Sequence, residues 1–224
     1  MTGKIAPFSS LSSAGVELGK KLADAGIKND VVVLAIVSAG VPVAVEVAKQ
    51  LGASTLDLIL IRRLLAPRGP GTQAVAVNAA GTLLVDDEIG PRPAAPQTPL
   101  DYFIEDALAR LAQRTRICRG ERAALELAGK PLLIVDCAIR TGLTMQASID
   151  AVRRLNPERI IAAVPVTSLS GRGAIKPLTD ELIYLAAPEP FGNAGVWYKD
   201  FSRLADDSIT QVLLPGSTDE LLTV

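Results

Sequence analysis

The stretch Leu132–Val166, LLIVDCAIRTGLTMQASIDAVRRLNPERIIAAVPV, contains the unit from which the rest of the chain is read. It opens with an apolar run that stops abruptly at Asp136. Met145, Ile149 and Val152 then recur at helical spacing, and Arg159–Val166 turns apolar again. Continuous apolar runs of this length fit strands covered on both faces, and the helix between them supplies the crossover of a parallel pair.

The same alternation extends outward. Asp30–Val37, DVVVLAIV, reads as a strand. It is preceded by a helix carrying Leu11, Ala14, Leu18 and Leu22 behind the cap candidates Ser12 and Ser13. Gly40 and Pro42 lead into a helix over Val43–Leu51, and Leu56–Ile61 is the next strand, ending at Arg62 and Arg63. Ala66–Gly71, APRGPG, reads as a loop. Gln73–Asp87 then reads as a hairpin about the Asn-Ala-Ala-Gly turn, and Gly90–Pro99 as a linker. Tyr102–Leu127 is mostly helical, with Phe103, Ala107 and Leu111 on one stripe, and Glu181–Ala187 is the expected last strand. The expectation is an α/β fold: a mostly parallel sheet flanked by helices. One domain spans residues 1–224, with a hairpin and helical insertion over about 64–128 forming a small hood.

Composition narrows the chemistry. With 23 Lys+Arg against 24 Asp+Glu the formal net charge is -1, so no global field draws the chain to nucleic acid or an anionic membrane. Any phosphate recognition must be local. Histidine is absent, which removes imidazole acid-base chemistry and histidine metal ligands. The two cysteines, Cys118 and Cys137, have neither zinc-site nor disulfide spacing. With no signal-like or membrane-spanning apolar segment, the expected compartment is the cytoplasm.

In parallel α/β sheets ligands bind beyond the carboxyl ends of the strands. This points to Ser38–Gly40, Arg62–Arg63, Asp136–Thr144 and the chain from Pro165 onward. A phosphate at a helix N-terminus is held by unpaired N–H groups and the helix dipole. Thr141 and Thr144 add hydroxyls, Gly142 permits close backbone approach, and Arg140 adds charge or points into solvent. Asp136, one loop away, is suited to accept hydrogen bonds from sugar hydroxyls or to hold a hydrated Mg²⁺. Read together, these residues suit a phosphorylated sugar. The same residues also serve a plainer role, with Asp136 capping the loop and the threonines capping the helix.

Leu132–Val166 resembles the phosphoribosyl-pyrophosphate (PRPP) motif of the type I phosphoribosyltransferases, whose usual form has two adjacent acids followed after a short loop by Thr-Gly. Ser38–Leu64, SAGVPVAVEVAKQLGASTLDLILIRRL, and Ala187–Asp207, APEPFGNAGVWYKDFSRLADD, resemble a bacterial group of proteins in that family. The resemblance implies the type I fold and transfer of phosphoribose from PRPP to a nucleobase or related acceptor with Mg²⁺, releasing pyrophosphate. It implies that Asp136 binds the ribose hydroxyls and the metal, directly or through water. Ala138, Ile139, Arg140, Thr141, Gly142, Leu143 and Thr144 would cradle the 5′-phosphate, with Cys137 at the strand end also in the substrate site. Ser38, Ala39 and Gly40 would form the pyrophosphate loop, and Arg63 would replace the usual lysine. Its implied partners are small molecules, with no nucleic acid and no membrane, and it allows a homodimer.

The departures are at contact positions. Cys137 replaces the second acid, Ala138 a glycine and Arg140 a small residue, while Ser38-Ala39-Gly40 stands where relatives carry Arg-Gly-Gly. Loss of a carboxylate and of a loop cation motivates a second reading, a PRPP- or nucleotide-binding regulatory module with weakened turnover. A metal-dependent phosphate-ester hydrolase using Asp136 is a third. Asp86 and Asp87 begin a similar motif but lack the Thr-Gly and helix, and read as a solvated hairpin end. Half of the eight aromatic residues lie in Phe191–Phe201; of these, Phe191 and Trp197 are candidates to stack on the acceptor, or else the rings plug the end of the sheet.

Overall fold

The computed structural model describes residues 7–68, 71–78, 83–85, 99–119 and 125–212. In chain order the strands are β1 (Phe8–Ser10), β2 (Val32–Ile36), β3 (Thr55–Ile59), β4 (Ile61–Arg68), β5 (Gly71–Asn78), β6 (Leu83–Val85), β7 (Pro131–Val135), β8 (Ala138–Ile139), β9 (Arg159–Thr167), β10 (Glu181–Ala186) and β11 (Tyr198–Asp200). The helices are α1 (Leu11–Asp24), α2 (Gly40–Leu51), α3 (Pro99–Arg119), α4 (Leu143–Arg153), α5 (Leu169–Ile175) and α6 (Asp206–Val212).

The main sheet has the order β10-β9-β7-β2-β3, all pairs parallel, and the short β8 also pairs with β9. Strand alternation divides its side chains between two cores. Val33, Ala35, Leu133, Val135, Ile161 and Ala163 pack with α1 and α2 residues on one face. Val32, Leu34, Ile36, Leu132, Ile134, Ile160 and Ala162 pack with α4 residues on the other. This is why these runs are apolar throughout: neither face reaches water.

Helices α1 and α2 meet through Gly15 and Gly19. A Cβ on Gly15 would lie 2.6 Å from the Val43 carbonyl, and one on Gly19 2.6 Å from the Gln50 Cβ. The first clash is with backbone, so a side chain at Gly15 would push α1 off the sheet.

Four expectations need adjustment. The α1 cap is Ser10 rather than Ser12 or Ser13: its hydroxyl accepts from the Ser13 N–H at 3.1 Å, while Ser13 answers from within the first turn. Ala66–Gly71 is not simply a loop, because Ala66, Pro67 and Arg68 in β4 pair with Gln73, Thr72 and Gly71 in β5. The hairpin of β5 and β6 thus becomes a three-stranded antiparallel hood. Glu181–Ala186 is not the last strand, since β11 follows and pairs parallel with β1. Strands of three residues are too short for a periodicity to show. Helix α3 begins at Pro99 and runs to Arg119, and Leu125–Leu127 is outside any helix. Asp86, Asp87 and most of the expected linker lie outside the described residues.

Candidate functional site

Beyond the carboxyl ends of β2 and β7 lies a cavity of about 890 Å³. Ser38, Ala39, Arg62, Arg63, Asp136 and the whole of Cys137–Thr144 line it, so segments nearly 100 residues apart in sequence share one site. Gly40 is buried just behind. A Cβ there would stand 2.9 Å from the Val135 carbonyl and 3.3 Å from the Asp136 carboxylate, which ties the Ser38–Gly40 turn directly to the β7 end. The Val37–Ser38 peptide entering this turn is cis.

Two helix N-termini at this cavity differ from those of α1 and α5. The first-turn amides of α1 and α5 include one each that donates to a capping hydroxyl, Ser13 N–H to Ser10 and Gly171 N–H to Ser168. Those of α2 and α4 have no side-chain cap, and both of these helices begin at the cavity wall, at Ala39–Gly40 and Gly142–Leu143. Each uncapped end presents N–H groups and the positive pole of a dipole. Gly142 takes φ +91°, a conformation that favours glycine, and a Cβ there would crowd Ala174 and Ile175 at 3.1 and 3.3 Å. Thr141 and Thr144 are half-buried on the wall. The plainer role expected for the threonines, capping α4, is not the one they take.

The loop's carbonyls are engaged from outside. The Ile139 carbonyl accepts from the Ser168 N–H at 2.9 Å, and the Arg140 carbonyl accepts from the Ser168 hydroxyl. The Cys137 carbonyl accepts from the Tyr198 hydroxyl at 2.5 Å.

Asp136 is the one carboxylate among the described lining residues, against six arginines: Arg62, Arg63, Arg110, Arg114, Arg140 and Arg203. The chain's near-neutral total therefore hides a strongly cationic cavity. Burial pushes the Asp136 carboxyl up to about 6, opposed by the Cys137 N–H, which donates to Oδ1 at 2.7 Å, by the Cys137 thiol, and by the charges of Arg63 and Arg203. It is ionised at neutral pH, but at a cost. The Cys137 thiol is buried, and burial together with the neighbouring Asp136 holds its pKa well above the ordinary value. It is not a reactive thiolate.

The arginines are not equivalent. Arg114 is spent on Asp206 through a bidentate pair at 2.7–3.1 Å, and Arg110 pairs with Asp106 one turn away. Arg203 instead lies over the Phe201 ring, 5.2 Å from its centroid, close enough to act on Asp136. Sequence reading did not single out Arg110, Arg114 or Arg203, because an arginine on a helix or loop reads as a solvated charge. Nor did it select Phe201, which lines the cavity together with Gly192, Asn193 and Ala194. Phe191 and Trp197 take the other role considered for them. Phe191 is in the core, Trp197 is half-buried and donates its indole N–H to the Phe191 carbonyl at 2.9 Å, and neither lines the cavity.

Among the described residues no cluster of three or more His, Cys, Asp or Glu side chains gathers at one point. A hard cation would find one carboxylate oxygen donor, Asp136, and would depend on a ligand's own oxygens. That donor set suits Mg²⁺ accompanying a phosphate compound, not an all-protein metal cage. No helix among the described residues is long and apolar enough to cross a membrane.

Comparison with known proteins identifies the family. A family model described as a phosphoribosyl transferase domain matches residues 16–184. Two Mycobacterium tuberculosis proteins, from strains CDC 1551 and H37Rv, are each 31% identical over 206 residues; their names give phosphoribosyl transferase only provisionally. The match covers 92% of this chain and 46% of either relative, so the chain spans about half the length of the curated relatives it matches. The crystal structure of TT1426 from Thermus thermophilus superposes with a TM-score of 0.75 at 30% identity, covering 93% of this chain and 98% of that one.

Proposed function

This chain belongs to the phosphoribosyl transferase family, and on that premise we propose that it transfers phosphoribose from PRPP to a nucleobase-like acceptor, releasing pyrophosphate. The observation that carries this reading is the pair of uncapped helix ends, α2 and α4, opening on one arginine-lined cavity with Asp136 between them. PRPP has two anionic groups separated by a ribose, and the cavity offers two main-chain anion sites separated by a carboxylate. The Cys137–Thr144 loop takes the 5′-phosphate, the Ser38–Gly40 turn takes the pyrophosphate, and Asp136 accepts from the ribose hydroxyls.

In the reaction a bond forms between an acceptor nitrogen and the anomeric carbon, while the bond from that carbon to the pyrophosphate oxygen breaks. No protein nucleophile is required, which suits a chain without histidine. Arg63 and Arg203 lie where charge accumulates on the departing pyrophosphate, and preorganised cations of this kind lower the barrier. Mg²⁺, when bound at Asp136 and the ligand oxygens, would supply further charge neutralisation. Phe201, Asn193 and Ile61–Arg63 at the start of β4 border the space left for the acceptor, and Phe191 and Trp197 support that wall from behind.

The second reading, a regulatory module that binds PRPP or a nucleotide without turnover, draws on Cys137, which turns its thiol to Asp136 rather than offering a second carboxylate. Calorimetry with PRPP and Mg²⁺, followed by a pyrophosphate-release assay over a panel of nitrogenous bases, tests both. Saturable binding with release supports the transferase, and binding without release supports the module. No binding at all refutes both.

A further inference from the structure

A loop can present its N–H groups to a phosphate only if its carbonyls face elsewhere. In the Asp136–Thr144 loop three carbonyls are held from outside, two of them by Ser168. Ser168 directly follows β9, the strand on which β8 of the loop is paired, so its grip is part of the sheet edge. The third anchor is different in kind. Tyr198 lies 61 residues beyond Cys137 and arrives on β11, outside the main sheet.

Tyr198 is held on every side. It is 5% exposed, and its ring packs against Phe8 at 5.7 Å and Phe201 at 5.3 Å. Its backbone is paired with β1, Phe8 opposite Tyr198 and Ser10 opposite Asp200. Ser10 in turn caps α1. Burial, then the neighbouring Cys137 and Asp136, raise the pKa of the phenol, so it stays a donor throughout the working pH range.

We infer that Tyr198 is a positioning residue for the phosphate loop: its hydroxyl holds the Cys137 carbonyl away from the cavity and so fixes the loop amides and Asp136 in their binding arrangement. Two successive peptides are tied by this arrangement. The Cys137 N–H is bonded to Asp136 Oδ1 and the Cys137 carbonyl to Tyr198, so neither peptide turns without breaking a hydrogen bond, the second of them buried. Because Phe201 stacks on Tyr198 and carries Arg203, the same residue joins the phosphate loop to the opposite wall. The identity of the ligand rests on the phosphoribosyl reading; the orientation of the loop does not.

Tyr198→Phe keeps the ring and its packing and removes only the hydroxyl. In the ligand-free full chain, hydrogen exchange of the amides from 138 to 144 should quicken about tenfold, the weight of one buried hydrogen bond, while α1 and α2 exchange as before. The Kd for PRPP with Mg²⁺ should rise about tenfold, and that for pyrophosphate alone, expected at Ser38–Gly40, should not move. Thr210→Val serves as the control, since it removes a hydrogen bond of 2.8 Å to the Ile117 carbonyl by a residue that does not line the cavity. Unchanged loop exchange in Tyr198→Phe, a uniform increase across the molecule, or an equal effect of Thr210→Val on the loop would overturn the inference. Wild-type protein that fails to bind PRPP would refute the proposed function instead, and loop exchange would then decide the role of Tyr198 alone.

Discussion

The two walls of the cavity present positive charge in different ways. On the wall made by the carboxyl ends of β2 and β7, the donors are main-chain N–H groups at two uncapped helix ends, held in place by Gly40, Gly142 and outward-turned carbonyls. On the facing wall they are guanidinium groups on β4, on α3 and on the segment after β11. The first wall is rigid because its geometry is the fold itself. The second is assembled from side chains, each replaceable by itself. Single changes on the first wall should therefore be severe, and those on the second graded.

The sharpest separation should come from Asp136→Asn, which is expected to weaken PRPP binding about 100-fold through lost charge-assisted hydrogen bonds. Stability should move the opposite way. The carboxyl pKa rises from 3.8 to about 6 on folding, so the fold favours the neutral form. The favourable contribution is complete below pH 4 and is lost as pH rises through 6. Urea unfolding should find Asp136→Asn more stable than wild type by about 1–3 kcal/mol at pH 7.5, and equal to it near pH 4. A variant that is destabilised at both pH values would mean that Asp136 serves the fold rather than the ligand.

Next in size is Gly40→Ala, which forces a methyl against the Val135 carbonyl and the Asp136 backbone. Denaturant unfolding should show a loss of about 1–3 kcal/mol, typical of overpacking, and PRPP affinity should fall about 30-fold as the two proposed anion sites are pushed apart. If affinity survives, the rigidity assigned to this wall is wrong.

On the arginine wall, Arg63→Gln and Arg203→Gln should each weaken PRPP about tenfold in calorimetry at 0.1 M salt, and less at high salt. Arg114→Gln sharpens the contrast within that wall. Its guanidinium is already committed to Asp206, so the variant should lose about 1 kcal/mol of stability while PRPP affinity changes less than about threefold. Equal effects of Arg114→Gln and Arg203→Gln on binding would erase the distinction between committed and available cations. The smallest effect is expected for Trp197→Phe, which should leave the acceptor KM within about twofold if the indole supports the wall from behind.

The first wall was largely legible in the sequence, and the second was not. Apolar runs ending at Val37 and Val135 located two strand ends, and Thr141-Gly142 located a helix start, because backbone sites are contiguous and depend on local residue types. The arginine wall has no local signature. Arg110 and Arg114 sit four apart on α3 as on any solvated helix face, and Arg203 follows a loop whose path is set by β1 and β11, strands too short to read. The same holds for the aromatic residues. All four between Phe191 and Phe201 look alike in sequence, yet Phe191 is drawn into the core and Phe201 is left facing the cavity.

The order of apolar and polar residues alone determined a parallel sheet covered on both faces and a helix start beyond one of its strands, because burial periodicity and helix starts are local properties. Which cations face that helix start, which ring borders them, and that Tyr198 should fasten the Cys137 carbonyl were decided only when distant segments packed together. Those contacts depend on where side chains arrive in space, and no spacing along the chain encodes that distance.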